Sequence, residues 1–196
     1  MIGLVDYESG NIASVSNALK AIGVQYIVSS EPSELGRCSG IILPGVGAAP
    51  GAMAALRRSG LDSYLTSCEV PLLGICLGMQ ILYRSSEEGN TTCLGLLPGV
   101  VKKFDRANQK VPHMGWNECS LLKNHRLMDG IRVNEFFYFA HSYYVESDEL
   151  PVSVAKHGNV FPAVVARGNL YGTQFHPEKS GSAGLTLLRN FDALCR

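Results

Sequence analysis

Cys76 is the residue whose type and surroundings most directly suggest chemistry. Glycines lie two positions before it and two positions after it, in the sequence Gly74-Ile75-Cys76-Leu77-Gly78. The apolar residues before Cys76 predict a buried strand, and the apolar spacing after it predicts a helix. A nucleophile at such a sharp, strained strand-to-helix turn needs small residues on both sides. The pattern therefore predicts a nucleophile elbow that presents the sulfur at the end of a sheet.

The predicted elbow also supplies what a thiol nucleophile needs. The backbone N–H of Leu77 faces the same space as the sulfur, where it would stabilise an oxyanion. Because Cys76 lies at the start of the predicted helix, the helix dipole and the free N–H groups favour its thiolate. A lone buried cysteine is usually inert packing. We predict that role for the other cysteines: Cys38, Cys68, Cys93, Cys119 and Cys195.

A thiolate nucleophile needs a base or ion-pair partner that a third group orients. His176 is the best candidate because it ends an apolar strand and is followed by Pro177 and Glu178. The proline stiffens this turn, so the imidazole and the carboxylate can be held side by side. The carboxylate would fix the imidazole tautomer and favour its charged form. The other histidines lie in a polar loop, in a strand or without an acidic neighbour: His125, His141, His113 and His157.

The elements that would position these residues follow from the apolar periodicity. In the first half, predicted strands at 2–5, 25–28, 40–43 and 71–75 alternate with predicted helices at 12–22, 52–58 and 61–67. Such alternation is typical of a parallel sheet with helices on both faces. Ligands bind beyond the carboxyl ends of these strands. The segments 6–11 and 44–47 and Cys76 all lie there.

After Arg84 the pattern becomes antiparallel in character. Extended segments are predicted at 112–119, 136–146, 152–157, 163–167 and 170–175, with Gly168-Asn169 as a tight hairpin turn. A last helix carries apolar residues to the C-terminus. We therefore predict an α/β fold in which residues 1–196 form a single domain. Its central sheet is mixed and mostly parallel, is flanked by helices, and has an antiparallel section in the second half.

Composition narrows the class of protein. The 17 Lys and Arg residues balance the 17 Asp and Glu residues, so no global field indicates nucleic acid or an anionic membrane. Six scattered cysteines in a chain of 196 residues favour reduced thiols over a disulfide scaffold. No basic leader or membrane-length apolar run is present in the sequence. We expect a soluble, cytoplasmic protein without metal or cofactor.

With these residues assembled, the chain resembles the class I (triad) glutamine amidotransferases. Residues 74–80, Gly-Ile-Cys-Leu-Gly-Met-Gln, are similar to the nucleophile motif of that family. Residues 174–181, Gln-Phe-His-Pro-Glu-Lys-Ser-Gly, are similar to its His/Glu motif. Four further segments resemble the glutaminase subunits of imidazole glycerol phosphate synthases: 6–11, 43–47, 112–117 and 137–145.

The resemblance implies hydrolysis of L-glutamine by a Cys76–His176–Glu178 triad. Cys76 would form a γ-glutamyl thioester and release ammonia, His176 would move the protons, and Glu178 would orient the imidazole. The oxyanion hole would combine Leu77 with the Pro44–Gly47 loop, where the glycines around Val46 allow a peptide to flip. The resemblance assigns substrate binding to Gly45, Gly47, Gln80, Ser142 and Tyr143.

The resemblance also implies a partner. In this family the ammonia passes to a cyclase subunit with a (β/α)₈ barrel, in a heterodimer that makes imidazole glycerol phosphate and aminoimidazole carboxamide ribonucleotide during histidine biosynthesis. A ligand of the partner would complete the oxyanion hole by shifting the 44–47 loop. Candidates for the docking face are Asn11, Trp116 and Lys179; an N-cap, a core aromatic and a solvated lysine are their alternatives.

Three other functions stay open at this point. The same glutaminase could supply ammonia for amidating a surface-polysaccharide sugar on a different barrel. The chain could instead be a non-catalytic regulator on a decayed glutaminase fold, although Cys76, His176 and Glu178 are all present. A stand-alone hydrolase is the third alternative, and it would turn over substrate without any partner.

Overall fold

The computed structural model describes residues 1–7, 11–146 and 151–196. Residues 8–10, half of the predicted segment 6–11, therefore lie outside the described residues. The first half contains β1 (Ile2–Val5), α1 (Ile12–Ala21), β2 (Tyr26–Ser29), α2 (Pro32–Leu35), β3 (Gly40–Leu43), α3 (Ala49–Arg58), α4 (Leu61–Thr66), β4 (Leu72–Ile75) and α5 (Leu77–Gln80). This succession matches the predicted alternation of strands and helices.

The second half is richer in strands, as expected. It contains β5 (Ser85–Ser86), β6 (Thr91–Thr92), β7 (Val100–Lys103), β8 (His113–Leu121), β9 (Asn134–His141), β10 (Tyr143–Glu146), β11 (Ser153–His157), β12 (Asn159–Arg167), β13 (Leu170–Thr173) and α6 (Gly181–Leu194). Short 3₁₀ turns lie at Glu88–Asn90, Arg126–Met128 and Pro177–Lys179. The hairpin predicted at Gly168-Asn169 is confirmed, since it joins the antiparallel pair β12 and β13.

One large sheet organises the described residues, in the strand order β2-β1-β3-β4-β13-β12-β11-β8-β9. Strands β2, β1, β3, β4 and β13 run parallel, and the remaining neighbours pair antiparallel. The antiparallel strands continue the same sheet, so it is mixed, as predicted, with four parallel and four antiparallel neighbour pairs among the described strands. A smaller sheet has the order β10-β7-β5-β6.

The large sheet divides the apolar core into two layers. Side chains alternate between the faces of a strand. On β3, Ile42 packs with residues of α1 and α6, whereas Ile41 and Leu43 pack with residues of α2, α3 and α4. All four residues of β1, β3 and β4 are buried, as expected for parallel strands covered on both faces. The edge at the carboxyl ends of these strands is left open for a ligand.

The elbow packs its backbone directly against the end of β3. A Cβ atom on Gly78 would overlap the carbonyl oxygen of Leu43, and one on Gly45 would overlap the backbone nitrogen of Gly78. A Cβ atom on Gly74 would lie 2.6 Å from Gly78 O. The need for glycine on both sides of Cys76 is therefore confirmed, and it has a steric cause.

The helix after Cys76 is much shorter than its apolar spacing suggests. The expected helix continues through Ile81 and Leu82, but α5 ends at Gln80 after a single turn. Backbone N–H groups of residues 94, 95 and 97 donate to the carbonyl groups of Ile81, Tyr83 and Leu82. The α-helical pattern ends before these carbonyls, since the N–H groups of Leu82 and Tyr83 donate to carbonyls three residues back, those of Met79 and Gln80. The side chains of Ile81 and Leu82 stay buried.

The extended segment predicted at 136–146 is divided between the two sheets. Strand β9 ends at His141 on the large sheet, and β10 begins at Tyr143 on the small sheet. At the break, the Ser142 carbonyl accepts a hydrogen bond from the N–H of Phe104. This turn brings Ser142 and Tyr143 to the open edge.

All six cysteines are free thiols, as the sequence predicts. Within residues 1–7, 11–146 and 151–196, no helix has the length and apolar character needed to cross a membrane.

The packing of Gly78 gives a test of the elbow. Because its Cβ would meet backbone rather than a movable side chain, Gly78→Ala should lower the free energy of unfolding by about 3 kcal/mol. Gly51→Ala is the matched control. Gly51 is exposed in α3 with open space around its Cβ position, so alanine there should add about 0.5 kcal/mol through helix propensity.

Urea unfolding of both variants measures these changes. A midpoint for Gly78→Ala that equals that of the unaltered chain would contradict the described contact between the elbow and β3.

Candidate active site

Cys76 occupies a strained backbone position immediately after β4. Its φ of 53° and ψ of −106° lie outside the regions that non-glycine residues usually adopt. Its backbone N–H donates to Thr173 O at 2.7 Å, which ties the elbow to the end of β13. The thiol is 5 % exposed. This geometry confirms the predicted nucleophile elbow and turns the sulfur toward a cavity at the open edge of the sheet.

The cavity has a volume of about 300 Å³ and contains many of the predicted site residues. Its walls are formed by Val46, Gly47, Cys76, Leu77, Gln80, Glu88, Pro112, Met114, Ala140, His141, Ser142, Tyr143, His176 and Lys179. Of the predicted substrate-binding residues, Gly45 alone lies outside this lining, because it packs against Leu77 and Gly78 behind the elbow.

His176 reaches Cys76 because β13 is the parallel neighbour of β4. Thr173 lies opposite Ile75 in the register, so the residues that follow the two strands emerge side by side. The imidazole of His176 lies beside Cys76, which raises the pKa of the ring. Its Nδ1 lies 2.8 Å from Glu178 Oε1, which leaves Nε2 for the sulfur. The side chains of His176 and Glu178 are 2 % and 0 % exposed.

Asn11 completes this group from the other end of the chain. Its Nδ2 donates to Glu178 Oε1 at 2.6 Å and lies 3.4 Å from His176 Nδ1. Asn11 also occupies the N-cap position of α1, but its side chain makes no capping hydrogen bond. The amide thus holds the carboxylate in place, and Asn11 is buried at 3 % exposure.

The electrostatics of the site favour the charged form of His176. Burial is the largest influence on the pKa of His176 and lowers it, but hydrogen bonds to Cys76 and Glu178 and the charges of both groups outweigh burial. The net pKa of His176 is raised. Burial likewise raises the pKa of Glu178, yet His176 and Asn11 bring it below its usual value. A protonated imidazole thus lies beside the Cys76 sulfur, whereas α5 contributes only a single helical turn there.

The Pro44–Gly47 segment contains one fixed and one adaptable glycine. Pro44 O accepts a hydrogen bond from the hydroxyl of Tyr7 at 2.7 Å, and Gly45 is held by close packing. Gly47 has a φ of +96° and open space around it, and Val46 is 38 % exposed. The structure therefore leaves open space beside Gly47, whereas Gly45 is fixed by its packing. The donation of an oxyanion contact by this segment stays a prediction.

Gln80 is held by hydrogen bonds on the cavity floor. Its Nε2 donates to Tyr143 O at 2.8 Å and to Gln174 Oε1 at 3.0 Å. Gln174 is wholly buried, and its Nε2 lies 3.8 Å from the Cys76 sulfur. Sequence reasoning missed the positioning role of Gln174, although this residue belongs to the motif at 174–181.

Glu88 is a second residue that sequence reasoning missed. It lines the cavity, and its Oε2 accepts a hydrogen bond from the N–H of Ala49 at the start of α3. A carboxylate facing a cavity attracts an ammonium group. The sequence offers little signal for this role, because Glu88 lies in a polar segment with Glu87 beside it.

Of the three residues predicted for a docking face, Asn11 is buried, whereas Trp116 and Lys179 are exposed. Asn11 is buried against Glu178. Trp116 is 57 % exposed and packs edge-on to Tyr138, with ring centroids 6.2 Å apart. Lys179 borders the cavity, and its Nζ lies 5.9 Å from the centre of the Tyr138 ring. Because Trp116 is exposed, it is not the core aromatic residue that was the alternative prediction for it.

The Glu178 carboxylate gives a test of the ion pair. An opposite charge within hydrogen-bond distance favours the charged imidazole, so Glu178→Gln should lower the pKa of His176 by about 1 unit or more. The imidazolium should then lose its proton at a lower pH than in the unaltered chain. NMR titration of ¹³C-labelled histidine measures this, with the His176 signal assigned by its absence in His176→Asn.

Asp192→Asn is the control for that titration, because Asp192 pairs with Arg196 at the far end of α6. It should leave the His176 midpoint unchanged. An equal midpoint in Glu178→Gln and the unaltered chain would show that the carboxylate does not hold the imidazole in its charged form.

Comparisons with known proteins agree with this geometry. The chain matches the family profile described as glutamine amidotransferase class-I over residues 3–193. It is 47 % identical to imidazole glycerol phosphate synthase subunit HisH of Bacillus cereus, covering 99 % of this chain and 95 % of that protein. It is also 47 % identical to the subunit of the same name from Bacillus thuringiensis subsp. konkukian, covering 97 % and 93 %.

Solved structures share the fold at lower identity. A glutamine amidotransferase crystal structure has a TM-score of 0.74 and 20 % identity, with 99 % of this chain and 98 % of that chain covered. PurLQS from Thermotoga maritima has a TM-score of 0.71 and 20 % identity, covering 97 % and 96 %. The elbow, the His–Glu pair and the family profile over nearly the whole sequence lead to one conclusion: this chain belongs to the class-I glutamine amidotransferases.

Proposed function

We propose that this protein is the glutaminase subunit of an imidazole glycerol phosphate synthase, acting in histidine biosynthesis. The observation that carries the proposal is the buried Cys76–His176–Glu178 group on a cavity, in a chain 47 % identical to HisH proteins over 99 % of its length. The family profile spans residues 3–193, which supports one amidotransferase domain over the whole chain. The cytoplasmic location stays a prediction.

The triad geometry supports a two-step hydrolysis. The Cys76 thiolate attacks the side-chain amide carbon of glutamine, and the His176 imidazolium protonates the leaving nitrogen, which departs as ammonia. The neutral imidazole then takes a proton from water, and the hydroxide attacks the γ-glutamyl thioester. Cys76 leaves as thiolate and glutamate is released. The protonated His176 and the thiolate restore the initial ion pair.

The cavity offers groups that suit an α-amino acid. Glu88 provides a negative charge for the α-ammonium group of glutamine, and the backbone of Ser142 and Tyr143 provides polar contacts. The N–H of Leu77 would donate to the developing oxyanion, with Val46 and Gly47 supplying the second donor after a peptide flip. No metal or cofactor is required by these steps.

The surface around the cavity suits a partner that receives ammonia. Met114, Trp116 and Lys179 are exposed beside the cavity, and 66 % of Met114 is accessible. Exposed Met and Trp next to a catalytic cavity are typical of interface residues. We propose that this surface binds a cyclase subunit with a (β/α)₈ barrel, whose ligand favours the flipped form of the Pro44–Gly47 segment.

Reconstitution with the cyclase subunit from the same cell tests the proposal. The complex should convert glutamine and the phosphoribulosyl aminoimidazole carboxamide intermediate into glutamate and imidazole glycerol phosphate. Cys76→Ala should reduce the glutamine-dependent rate by about 10⁴-fold or more, because the nucleophile is lost. An ammonium salt should still support product formation in that variant, since only the ammonia supply is removed.

Controls separate the alternatives. Trp116→Ala should weaken cyclase binding about thirtyfold, whereas Val133→Ala, which truncates a 62 % exposed side chain near the opposite end of β8, should not. Glutamine-dependent amidation of a sugar with a different barrel, and no imidazole glycerol phosphate, would instead indicate the polysaccharide pathway. Full activity of Cys76→Ala with glutamine would contradict the triad.

A further inference from the structure

Three histidines outside the triad lie together beside the cavity, and the proposed reaction does not use them. The rings of His113 and His157 stack with centroids 4.2 Å apart, and His113 and His141 meet edge to face at 4.9 Å. Phe104 and Phe161 pack around them. Within the part of the chain that the structure describes, they form no metal-binding group with other ligating side chains.

The hydrogen bonds of these histidines define one proton arrangement. His141 Nδ1 lies 2.7 Å from Tyr143 O, and a carbonyl only accepts, so Nδ1 carries the hydrogen. Neutral His141 then accepts at Nε2 from His113 Nδ1–H, at 2.9 Å. His113 in turn accepts at Nε2 from the Asn117 amide at 3.1 Å. These hydrogen bonds all point the same way, from Asn117 through His113 and His141 to Tyr143 O. We call this chain of hydrogen bonds the relay.

The orientation of Asn117 is fixed independently. Its Nδ2 also donates to Lys156 O at 2.9 Å, and its Oδ1 accepts from the N–H of Glu118 at 2.8 Å. The amide therefore presents N–H, and not oxygen, to His113. The Asn117 N–H at one end of the relay and Tyr143 O at the other therefore require the same tautomers of His113 and His141.

Burial keeps the relay neutral. It lowers the pKa of His113 to about 4, with a smaller contribution from the charge of His157. It lowers the pKa of His141 to about 3, a shift opposed by the bond to Tyr143 O and reinforced by His113, His157 and His176. A second proton on His141 would place an N–H against the N–H of His113. Both rings are thus held as neutral imidazoles across the physiological range.

The relay ends on an oxygen that the catalytic floor also uses. Tyr143 O accepts from His141 Nδ1–H and from Gln80 Nε2, so both of its lone pairs are engaged. Ser142 and Tyr143 form the turn between β9 and β10 that lines the cavity. A change in the His141 bond would therefore act first on the cavity wall. It reaches the Cys76 sulfur only through Gln80 and Gln174, whereas the imidazole of His176 is held by Glu178.

We propose that His141, fixed by His113 and Asn117, is a positioning residue that holds the Ser142–Tyr143 turn in the form that binds the glutamine backbone. This inference rests on the proposed glutaminase function and deepens it. It assigns to His141 an effect on substrate affinity without a part in proton transfer.

The two amide residues test the proposal, because they mimic opposite nitrogens of histidine. His141→Asn places an amide N–H near the Nδ1 position and keeps the donor to Tyr143 O. His141→Gln places its amide near the Nε2 position and loses that donor. In the assembled complex, His141→Gln should raise the KM for glutamine about tenfold, and His141→Asn no more than about threefold.

Chemical modification separates positioning from general damage. Inactivation by diazo-oxo-norleucine, a glutamine-shaped electrophile, should slow in His141→Gln in parallel with KM. Alkylation of Cys76 by iodoacetamide, which does not use the amino-acid contacts, should stay within about twofold of the unaltered chain in both variants. The same contrast at His113, with Asn against Gln, repeats the test if His141→Gln does not fold.

The outcomes distinguish the two proposals. No glutamine turnover by the unaltered complex would overturn the proposed function and this inference with it. Turnover with equal KM values for the Asn and Gln variants would overturn the inference alone. A loss of iodoacetamide reactivity that parallels KM would also overturn it, because the relay would then support the fold or the triad as a whole.

Discussion

The structure depends on the contact between the elbow backbone and the end of β3. A side chain on Gly45 would overlap Gly78, and a side chain on Gly78 would overlap the carbonyl oxygen of Leu43. This contact holds Cys76 at a positive φ that a cysteine does not adopt freely. It also places the Pro44–Gly47 segment beside the sulfur. The nucleophile and the segment predicted to supply an oxyanion donor are therefore positioned by the same packing.

The sheet register brings the second half of the active site to the first. Because β13 pairs with β4 in parallel, His176 emerges next to Cys76 although 100 positions separate them in the chain. Glu178 hydrogen bonds to Nδ1 of the imidazole, and Asn11 donates to the same carboxylate oxygen. A separate set of bonds, running through His141 and Tyr143 to Gln80, fixes the cavity floor. The His–Glu pair and the cavity floor thus have different side-chain supports, although the floor also reaches the sulfur through Gln174.

Local chemistry made the elbow, the parallel strands and the His176–Glu178 pair predictable from sequence. Glycine spacing, apolar runs and a stiff proline act within a few residues. The missed features depend on distant partners. The carbonyls just after α5 accept hydrogen bonds from residues 94–97, and the Ser142 carbonyl at the break between β9 and β10 accepts one from Phe104. The contacts of Asn11 with Glu178 and of Glu88 with Ala49 likewise join distant parts of the chain, and no local pattern encodes them.

The central claim is that the strained cysteine beside His176 forms the covalent bond to substrate. Rapid acid quench of the complex during glutamine turnover, followed by peptide mass spectrometry, tests it most directly. The account predicts a γ-glutamyl thioester on the peptide that contains Cys76, and none when His176 is replaced by asparagine. A glutamyl adduct on another cysteine, or turnover with no adduct on Cys76 under conditions where the thioester survives quenching, would contradict it.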